Sequence, residues 1–212
     1  MVNAMKKNRM ISWRSLVYLP VAALALMSFG MADNDGAAKS LTVPHGWIVA
    51  GTAPTNYRMG IDPSVKKDGK NVATIQAIEA NQSGTGKFGT LSQVCLPGEY
   101  AGKRVRMTAD IKSEILVGWA GMWFRVDGKG SRNFLAFDNM KNRPIKGTTD
   151  WEKYEIVLDV PSDARMLAYG VLLDGDGKVW FSNISFEIVD DLVPVTSCFN
   201  VLESPENLDF SK

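Results

Sequence analysis

Histidine is almost absent from this chain of 212 residues, which contains only His45. A single histidine excludes an HExxH metalloprotease helix and a zinc site built from several imidazoles. A serine hydrolase would need His45 as its base, and no serine stands in a GxSxG sequence. Because no nucleophile and base are recognisable, we expect a protein without enzymatic activity.

The chain also lacks a surplus of positive charge. Its formal charge is +1, but residues 1–32 contain four basic residues and no acid, so residues 33–212 carry 20 basic against 23 acidic side chains. Nucleic-acid binding by phosphate neutralisation needs clustered Lys and Arg. The net charge of −3 over residues 33–212 therefore argues against a nucleic-acid partner.

The N-terminal segment has the pattern of a secretory signal peptide. Four basic residues between Lys6 and Arg14 precede an apolar run over residues 16–31, which ends in small residues up to Ala32. We predict a signal peptide over residues 1–32 and a periplasmic or secreted protein. An uncleaved signal anchor is the alternative, because the apolar run is close to the shortest that spans a bilayer. We expect no other membrane contact.

Cysteine is scarce, and export decides how Cys95 and Cys198 are interpreted. Oxidising compartments permit disulfides, so the two residues are candidate partners. Their bond would close a loop of about a hundred residues and stabilise the fold by roughly 4–5 kcal/mol on the chain-entropy model. The alternative is two separate thiols, with Cys95 packed in a strand and Cys198 exposed in a tail.

Between Leu41 and Val189 no amphipathic helical pattern of about eleven or more residues is found. Short β-prone runs separated by Gly, Asp, Asn and Pro fill this region, which is typical of an all-β sandwich. We predict a sandwich domain over residues 33–190 and a C-terminal tail over residues 191–212. About ten strands are expected: Trp47–Gly51, Tyr57–Ile61, Val72–Ile78, Phe88–Cys95, Arg104–Ser113, Trp119–Asp127, Asn133–Asn139, Trp151–Val160, Met166–Leu173 and Val179–Val189.

Alternation of residue type assigns the faces of two strands. One side of each is apolar and is predicted to face the core: Val105, Met107, Ala109 and Ile111 in one strand, and Ala120, Met122, Phe124 and Val126 in the other. Asp-Gly pairs at 127–128, 174–175 and 176–177 predict hairpin turns between strands. Asp174 and Asp176 also resemble the start of a calcium loop, but the remaining ligands do not follow. A structural calcium ion stays open, and we expect no other cofactor.

The second face of the Trp119–Asp127 strand is aromatic and polar together. Trp119 and Trp123 lie four residues apart, hence on one face and about 13 Å from each other. Indole rings stack on the C–H groups of sugars, while sugar hydroxyls need planar polar partners. The predicted ligand-binding residues are Trp119, Trp123, Arg125, Asp127, Asp138 and Asn139. The alternative is that both tryptophans only cover a sheet edge or fill a second core side.

Several sequence patterns together resemble a known domain. They are Gly46-Trp47, Tyr57 with Gly60-Ile61-Asp62, Phe88-Gly89-Thr90-Leu91 with Gln93, residues 100–105 (YAGKRV), residues 119–127 (WAGMWFRVD), Phe137-Asp138-Asn139-Met140, residues 147–151 (GTTDW) with Tyr154, and Gly177-Lys178-Val179-Trp180. This pattern resembles the jelly-roll domain of bacterial proteins that is similar to carbohydrate-binding modules and galactose-binding-like folds. The domain also occurs appended to transcription regulators, and the resemblance covers roughly Trp47 to Val189.

The resemblance implies a two-sheet jelly-roll sandwich and a non-catalytic module that binds a carbohydrate or another small polar ligand. Its site is expected on a concave sheet that contains the Trp119 strand. Because a signal peptide precedes the domain where a regulator would carry its DNA-binding segment, we expect an exported module standing alone. A structural or protein-interaction domain without a small-molecule ligand is the alternative.

Overall fold

The computed structural model describes residues 40–78, 86–130 and 134–198, together with Leu208. These residues contain two short 3₁₀ turns, Pro54–Asn56 and Gly98–Tyr100, and eight strands. The strands are β1 (Ile48–Gly51), β2 (Tyr57–Lys67), β3 (Lys70–Ala77), β4 (Phe88–Cys95), β5 (Lys103–Asp127), β6 (Phe134–Asp138), β7 (Ile145–Val160) and β8 (Met166–Val189). The predicted signal peptide over residues 1–32 lies outside the described residues.

The long strands β5 and β8 pair along most of their length and cross from one layer to the other. The C-terminal half of β5 and the N-terminal half of β8 belong to the front sheet, in the order β1-β4-β8-β5-β6. Their other halves belong to the back sheet, in the order β2-β3-β8-β5-β7. All these pairings are antiparallel, so the fold is all-β, as predicted.

Glycines form the corner at which β5 and β8 change layers. Gly118 of β5 and Gly175 of β8 have φ angles of 112° and 111°, which L side chains rarely adopt. A Cβ on Gly118 would lie 2.1 Å from the Asp174 carbonyl oxygen, and one on Gly175 would lie 2.1 Å from that of Val117. Only glycine therefore lets the two backbones bend and pass this closely, as sandwich corners require.

The predicted hairpin turns at Asp174-Gly175 and Asp176-Gly177 are wrong, because both pairs lie inside β8 and pair with β5. The runs that we predicted as separate strands on either side of this corner are continuous, which leaves eight strands where we expected about ten. Asp127 is the last residue of β5, and Gly128 follows it, so this pair does stand at a strand end.

The predicted core faces of β5 are confirmed. The apolar residues of both alternating rows are completely buried: Val105, Met107, Ala109, Ile111, Ala120, Met122, Phe124 and Val126. Aromatic rings join the layers, since Phe124 and Tyr169 of the front sheet lie 5.4 and 4.7 Å from Phe186 of the back sheet, measured between ring centroids. The outward faces of the sheets are therefore left for other roles.

The two cysteines are free thiols, as in the second predicted arrangement, but their exposures are the reverse of those predicted. Cys95 ends β4 and is exposed, and Cys198 is partly buried in the irregular segment after β8. This segment lies along β7, where the Thr196 backbone N–H donates to the Val157 carbonyl oxygen at 2.8 Å. The beginning of the predicted tail is thus attached to the sandwich.

Within the described ranges, no helix is long and apolar enough to cross a membrane. The same residues contain no group of three or more His, Cys, Asp or Glu side chains that could hold a metal ion. The calcium ion that the sequence left open therefore has no candidate ligand set in this part of the chain.

Candidate functional site

The outward side of the front sheet brings together most of the predicted ligand-binding residues. Alternation along β5 places four of them on this side, opposite the buried row that contains Phe124. Their direct partners on β8 share the same side. We call this surface the tryptophan face: Trp119, Gly121, Trp123, Arg125 and Asp127 of β5, and Met166, Ala168, Gly170, Leu172 and Asp174 of β8.

The ring of Trp123 is fixed across β8. Its indole N–H donates to Thr90 Oγ1 at 2.8 Å, and the Thr90 hydroxyl donates in turn to the Val171 carbonyl oxygen at 2.7 Å. Thr90 belongs to β4, so the indole spans the intervening strand at Gly170, the residue paired with Trp123. Because its N–H is already bonded, Trp123 offers a ligand its apolar ring surface.

Trp119 lies near Gly121, one of the two glycines of the tryptophan face. A Cβ on Gly121 would lie 3.4 Å from Trp119 Cζ3 and 3.0 Å from the Asn139 carbonyl oxygen. Leu172 pairs with Gly121 and is 6% exposed. A ring carbon of Trp119 thus lies close to Gly121, and the residues between the two tryptophans, Gly121, Gly170 and Leu172, are buried. Strand rise separates the backbones of Trp119 and Trp123 by about 13 Å.

Arg125 and Asp127 form an ion pair at the far end of the face, with Nε and Oδ1 at 2.8 Å. A second contact joins Nη2 to Oδ2 at 2.9 Å, so the pair is bidentate. The two charges compensate each other, and the end of the face beyond Trp123 is polar with little net charge.

The structure places Asp138 away from the tryptophan face. Asp138 pairs with Phe124, whose side chain is in the core, and it is completely buried. Its carboxylate accepts hydrogen bonds from Arg143 Nη2 at 2.7 Å and from the Met140 backbone N–H at 2.8 Å. The prediction of Asp138 as a ligand-binding residue is therefore wrong in position, because this side chain holds the loop after β6.

Asn139 lies at the margin of the face. It is half-buried, and its carbonyl oxygen approaches Gly121. Its side-chain oxygen accepts a hydrogen bond from the Lys141 backbone N–H at 3.2 Å, which forms an Asx turn. Asn139 thus borders the surface next to Trp119, with its side chain partly engaged in the local turn.

Asp174 belongs to the tryptophan face, although the sequence pattern assigned it to a turn. It pairs with Trp119 and is 9% exposed. Burial raises the pKa of its carboxyl, while hydrogen bonds from the Trp119 side chain and the Gly86 backbone and the charge of Lys141 act in the opposite direction. Its Oδ1 is buried without a hydrogen-bond partner. Continuing the strand alternation one residue past Leu173 would have identified Asp174.

Two cavities lie elsewhere on the molecule. One of about 310 Å³ is bordered by Trp47 and Phe181, and one of about 360 Å³ is bordered by Arg143 and Tyr154. Neither is lined by a residue of the tryptophan face. The candidate site therefore lies outside both of these cavities.

Comparison with known proteins gives one curated relative by sequence, whereas no family model matches. The relative is the uncharacterized HTH-type transcriptional regulator YbfP of Bacillus subtilis (strain 168), which is 38% identical over 170 residues. The match covers 79% of this chain, and the chain spans 57% of the length of the regulator. The predicted resemblance to a domain that also occurs in transcription regulators is confirmed.

Solved structures share the fold at low sequence identity. The enzymatically active domain of tailspike protein 4 of bacteriophage CBA120 is similar with a TM-score of 0.53 and 13% identity, over 68% of this chain and 20% of that one. The CBM22-1 xylan-binding domain of Paenibacillus barcinonensis Xyn10C has a TM-score of 0.49 and 14% identity, over 71% of this chain and 90% of that domain. The first of these similarities shows the fold alone.

Proposed function

We propose that this chain is an exported, non-catalytic carbohydrate-binding module whose site is the tryptophan face. The observation that carries the proposal is the pair of half-buried tryptophans on the outward face of one strand, whose backbone positions are about 13 Å apart by strand rise. Pyranose rings present C–H groups that stack on such rings. The spacing suits an oligosaccharide, with one sugar at each tryptophan and a further sugar between them.

The position of the face outside the two cavities supports a chain-like ligand. A drug-sized ligand usually occupies a concave pocket that buries most of its surface. The tryptophan face lines neither of the two cavities described above, and its ends are bounded by polar groups at Arg125 and Asp174. A polysaccharide that runs along β5 could extend past both ends.

The positions of the carboxylates support binding without hydrolysis. Asp127 and Asp174 mark opposite ends of the face, because Asp174 pairs with Trp119, eight residues from Asp127. Strand rise makes this separation roughly 26 Å. Glycosidases hold their two carboxyl groups about 5–10 Å apart, so Asp127 and Asp174 could not share that chemistry.

Electrostatics disfavour a nucleic-acid ligand at this surface. Arg125 of the tryptophan face is neutralised by Asp127, and residues 33–212 have a net charge of −3. Phosphate recognition would need unpaired cations along the groove. A neutral polyhydroxylated ligand matches the face better.

The test is a titration of the purified protein with neutral hexasaccharides of xylan, glucan and mannan, followed by tryptophan fluorescence and calorimetry. At least one should bind, and Trp123→Ala should weaken that binding about tenfold or more, because a stacked aromatic ring contributes on the order of 1–3 kcal/mol. Trp151→Ala is the matched control, since Trp151 lies on β7 of the back sheet. Equal binding by Trp123→Ala and the unmodified protein would contradict the proposal, and so would release of shorter sugars.

A protein-interaction domain is the second candidate, favoured by apolar side chains beside the Asp127 end of the face. Phe134 is 58% exposed and Met166 is 40% exposed, and both pair with Asp127. Such side chains at a sheet edge can contact another protein. If no sugar binds, Phe134→Ser should then abolish self-association or partner capture that the unmodified protein displays.

A further inference from the structure

Asp174 is the acidic side chain of the tryptophan face that the protein leaves incompletely bonded. The residue is only 9% exposed, and its Oδ1 is buried without a hydrogen-bond partner. An unsatisfied buried polar atom costs about 1–3 kcal/mol, and more when the group is charged. A folded protein usually satisfies such an atom with its own groups or with ordered water, so an unsatisfied oxygen needs an explanation.

The direction of Asp174 is set by strand geometry. Leu173 is completely buried in the core, so the next side chain on β8 must point outward. Its direct partner on β5 is Trp119, and the Trp119 side chain donates a hydrogen bond to the Asp174 carboxyl. The Asp174 carboxyl therefore lies beside an aromatic ring of the tryptophan face, and because its unpartnered Oδ1 is covered, a ligand reaches it only by displacing a neighbouring group.

A second buried carboxylate shows how this fold satisfies a purely structural aspartate. Asp62 on the outward side of the back sheet is 4% exposed and also touches a tryptophan, Trp180. Its Oδ1 accepts two hydrogen bonds from Ser64, and its Oδ2 accepts one from Lys178 and one from Trp180. Asp174 accepts hydrogen bonds from the Trp119 side chain and the Gly86 backbone, but its Oδ1 has no donor, so its set is incomplete.

We infer that Asp174 accepts a hydrogen bond from a hydroxyl group of a sugar stacked on Trp119, and that this subsite takes neutral sugars and rejects sugar acids. This inference rests on the proposed function. A hydroxyl supplies the donor that Oδ1 lacks, and a carboxylate oxygen strengthens the bond because it is charged. A uronic acid would bring a second carboxylate next to Asp174, and like charges at close range repel each other.

Binding at this subsite also changes the environment of Trp119. The indole already donates to the Asp174 carboxyl, so a ligand hydroxyl on the same carboxyl shifts the ring or shares its acceptor. Trp119 fluorescence is therefore expected to report occupation of this subsite. The measurement is made in a Trp123→Phe variant. This variant keeps an aromatic ring at position 123 and removes the fluorescence of Trp123, which would overlap with that of Trp119.

The test compares Asp174→Asn with Asp62→Asn in the full chain, using xylan, glucan and mannan hexasaccharides as neutral probes and hexagalacturonate as the acidic probe. Asp174→Asn should weaken binding of a neutral probe about tenfold or more, because bonds to charged groups are worth about 1.5–3 kcal/mol. The variant should also reduce the preference for the neutral probe over hexagalacturonate. Its melting temperature should be unchanged or higher. Asp62→Asn should lower the melting temperature and leave the affinity unchanged.

Other results would overturn the inference in distinguishable ways. If Asp174→Asn lowers the melting temperature as much as Asp62→Asn does, Asp174 is a structural residue, whatever the ligand. If neutral probes bind the unmodified protein and the Asp174→Asn variant equally, the subsite assignment is wrong while the proposed function stands. If no probe binds the unmodified protein, the proposed function fails, and the subsite fails with it.

Discussion

The two sheets carry similar pairs of side chains on their outward faces, with different outcomes. On the back sheet, Asp62 accepts hydrogen bonds from Ser64, Lys178 and Trp180, and Lys178 also lies 4.4 Å from the centre of the Trp180 ring. On the front sheet, Asp174 accepts hydrogen bonds from the Trp119 side chain and the Gly86 backbone but keeps one oxygen without a partner. An aspartate beside a tryptophan is thus a closed structural cluster in one place and an incomplete one in the other.

The pKa directions of the two carboxyls express the same difference. Burial acts to raise the pKa of Asp62, but the hydrogen bonds from Ser64, Lys178 and Trp180 outweigh it and hold the pKa well below its ordinary value. For Asp174 burial prevails and raises the pKa. Complete hydrogen bonding stabilises the ionised carboxylate. Where hydrogen bonding is incomplete, the unfavourable effect of burial on the ionised form is not offset.

The largest expected effect is a difference in stability between variants on the inward and outward sides of the front sheet. Phe124→Ala should destabilise the fold by about 3–5 kcal/mol, because it removes a completely buried ring from the core. Trp123→Ala should cost less, since Trp123 is half-buried on the outward side, and should mainly reduce sugar binding. Urea unfolding of the two variants measures the difference. A greater loss for Trp123→Ala would show that the tryptophan face is structural.

A smaller effect tests the closed cluster of the back sheet. Asp62→Ala should destabilise the protein by about 2–4 kcal/mol, because it leaves the buried Trp180 N–H and the Lys178 ammonium without their acceptor. Thermal unfolding at neutral pH measures this loss. Ser64→Ala is the milder matched change, since it removes only the hydroxyl donor to Asp62. If Asp62→Ala leaves the stability unchanged, Asp62 is not a stabilising structural residue, and its contrast with Asp174 fails.

The pH dependence of stability should have opposite signs for the two aspartates. Because the pKa of Asp62 is lowered on folding, its contribution is present above the unfolded pKa of about 3.9 and is lost as the pH falls through the folded value. Because the pKa of Asp174 is raised, its contribution is present below about 3.9 and is lost as the pH rises through the folded value. Melting temperatures between pH 2 and 7, roughly the span of both transitions, measure the two effects.

Variants assign those slopes to residues. Asp62→Asn should flatten the loss of stability in acid, and Asp174→Asn should reduce the decline just above the unfolded pKa. Identical pH profiles for Asp174→Asn and the unmodified protein would contradict the incomplete bonding of this carboxyl.

The smallest expected effect is that of a reductant, which should not change the stability of either sheet. Cys95 and Cys198 are free thiols, so the melting temperature should be the same with and without a reductant. Alkylation followed by mass spectrometry should label both residues. A protein that takes up no label and melts at a lower temperature when reduced would instead contain the disulfide that export permits.

The sequence alone predicted the features that depend on the two-residue period of a strand. Alternation identified the core rows of β5, and it placed Trp119 and Trp123 together on the opposite side, because successive side chains of a strand point to opposite faces. The Gly- and Asp-rich breaks between short β-prone runs predicted an all-β fold. These properties are local, so they can be deduced from neighbouring residues.

The tertiary structure decided what local patterns leave ambiguous. An Asp-Gly pair can form a hairpin turn or a strand corner, and only the close passage of β5 over β8 makes Gly175 a corner. Asp138 pairs with Phe124, and its side chain therefore points into the core. Asp174 pairs with Trp119, and it therefore belongs to the tryptophan face. Both outcomes depend on which strand lies alongside, and such contacts between distant parts of the chain have no signature in the residues next to either aspartate.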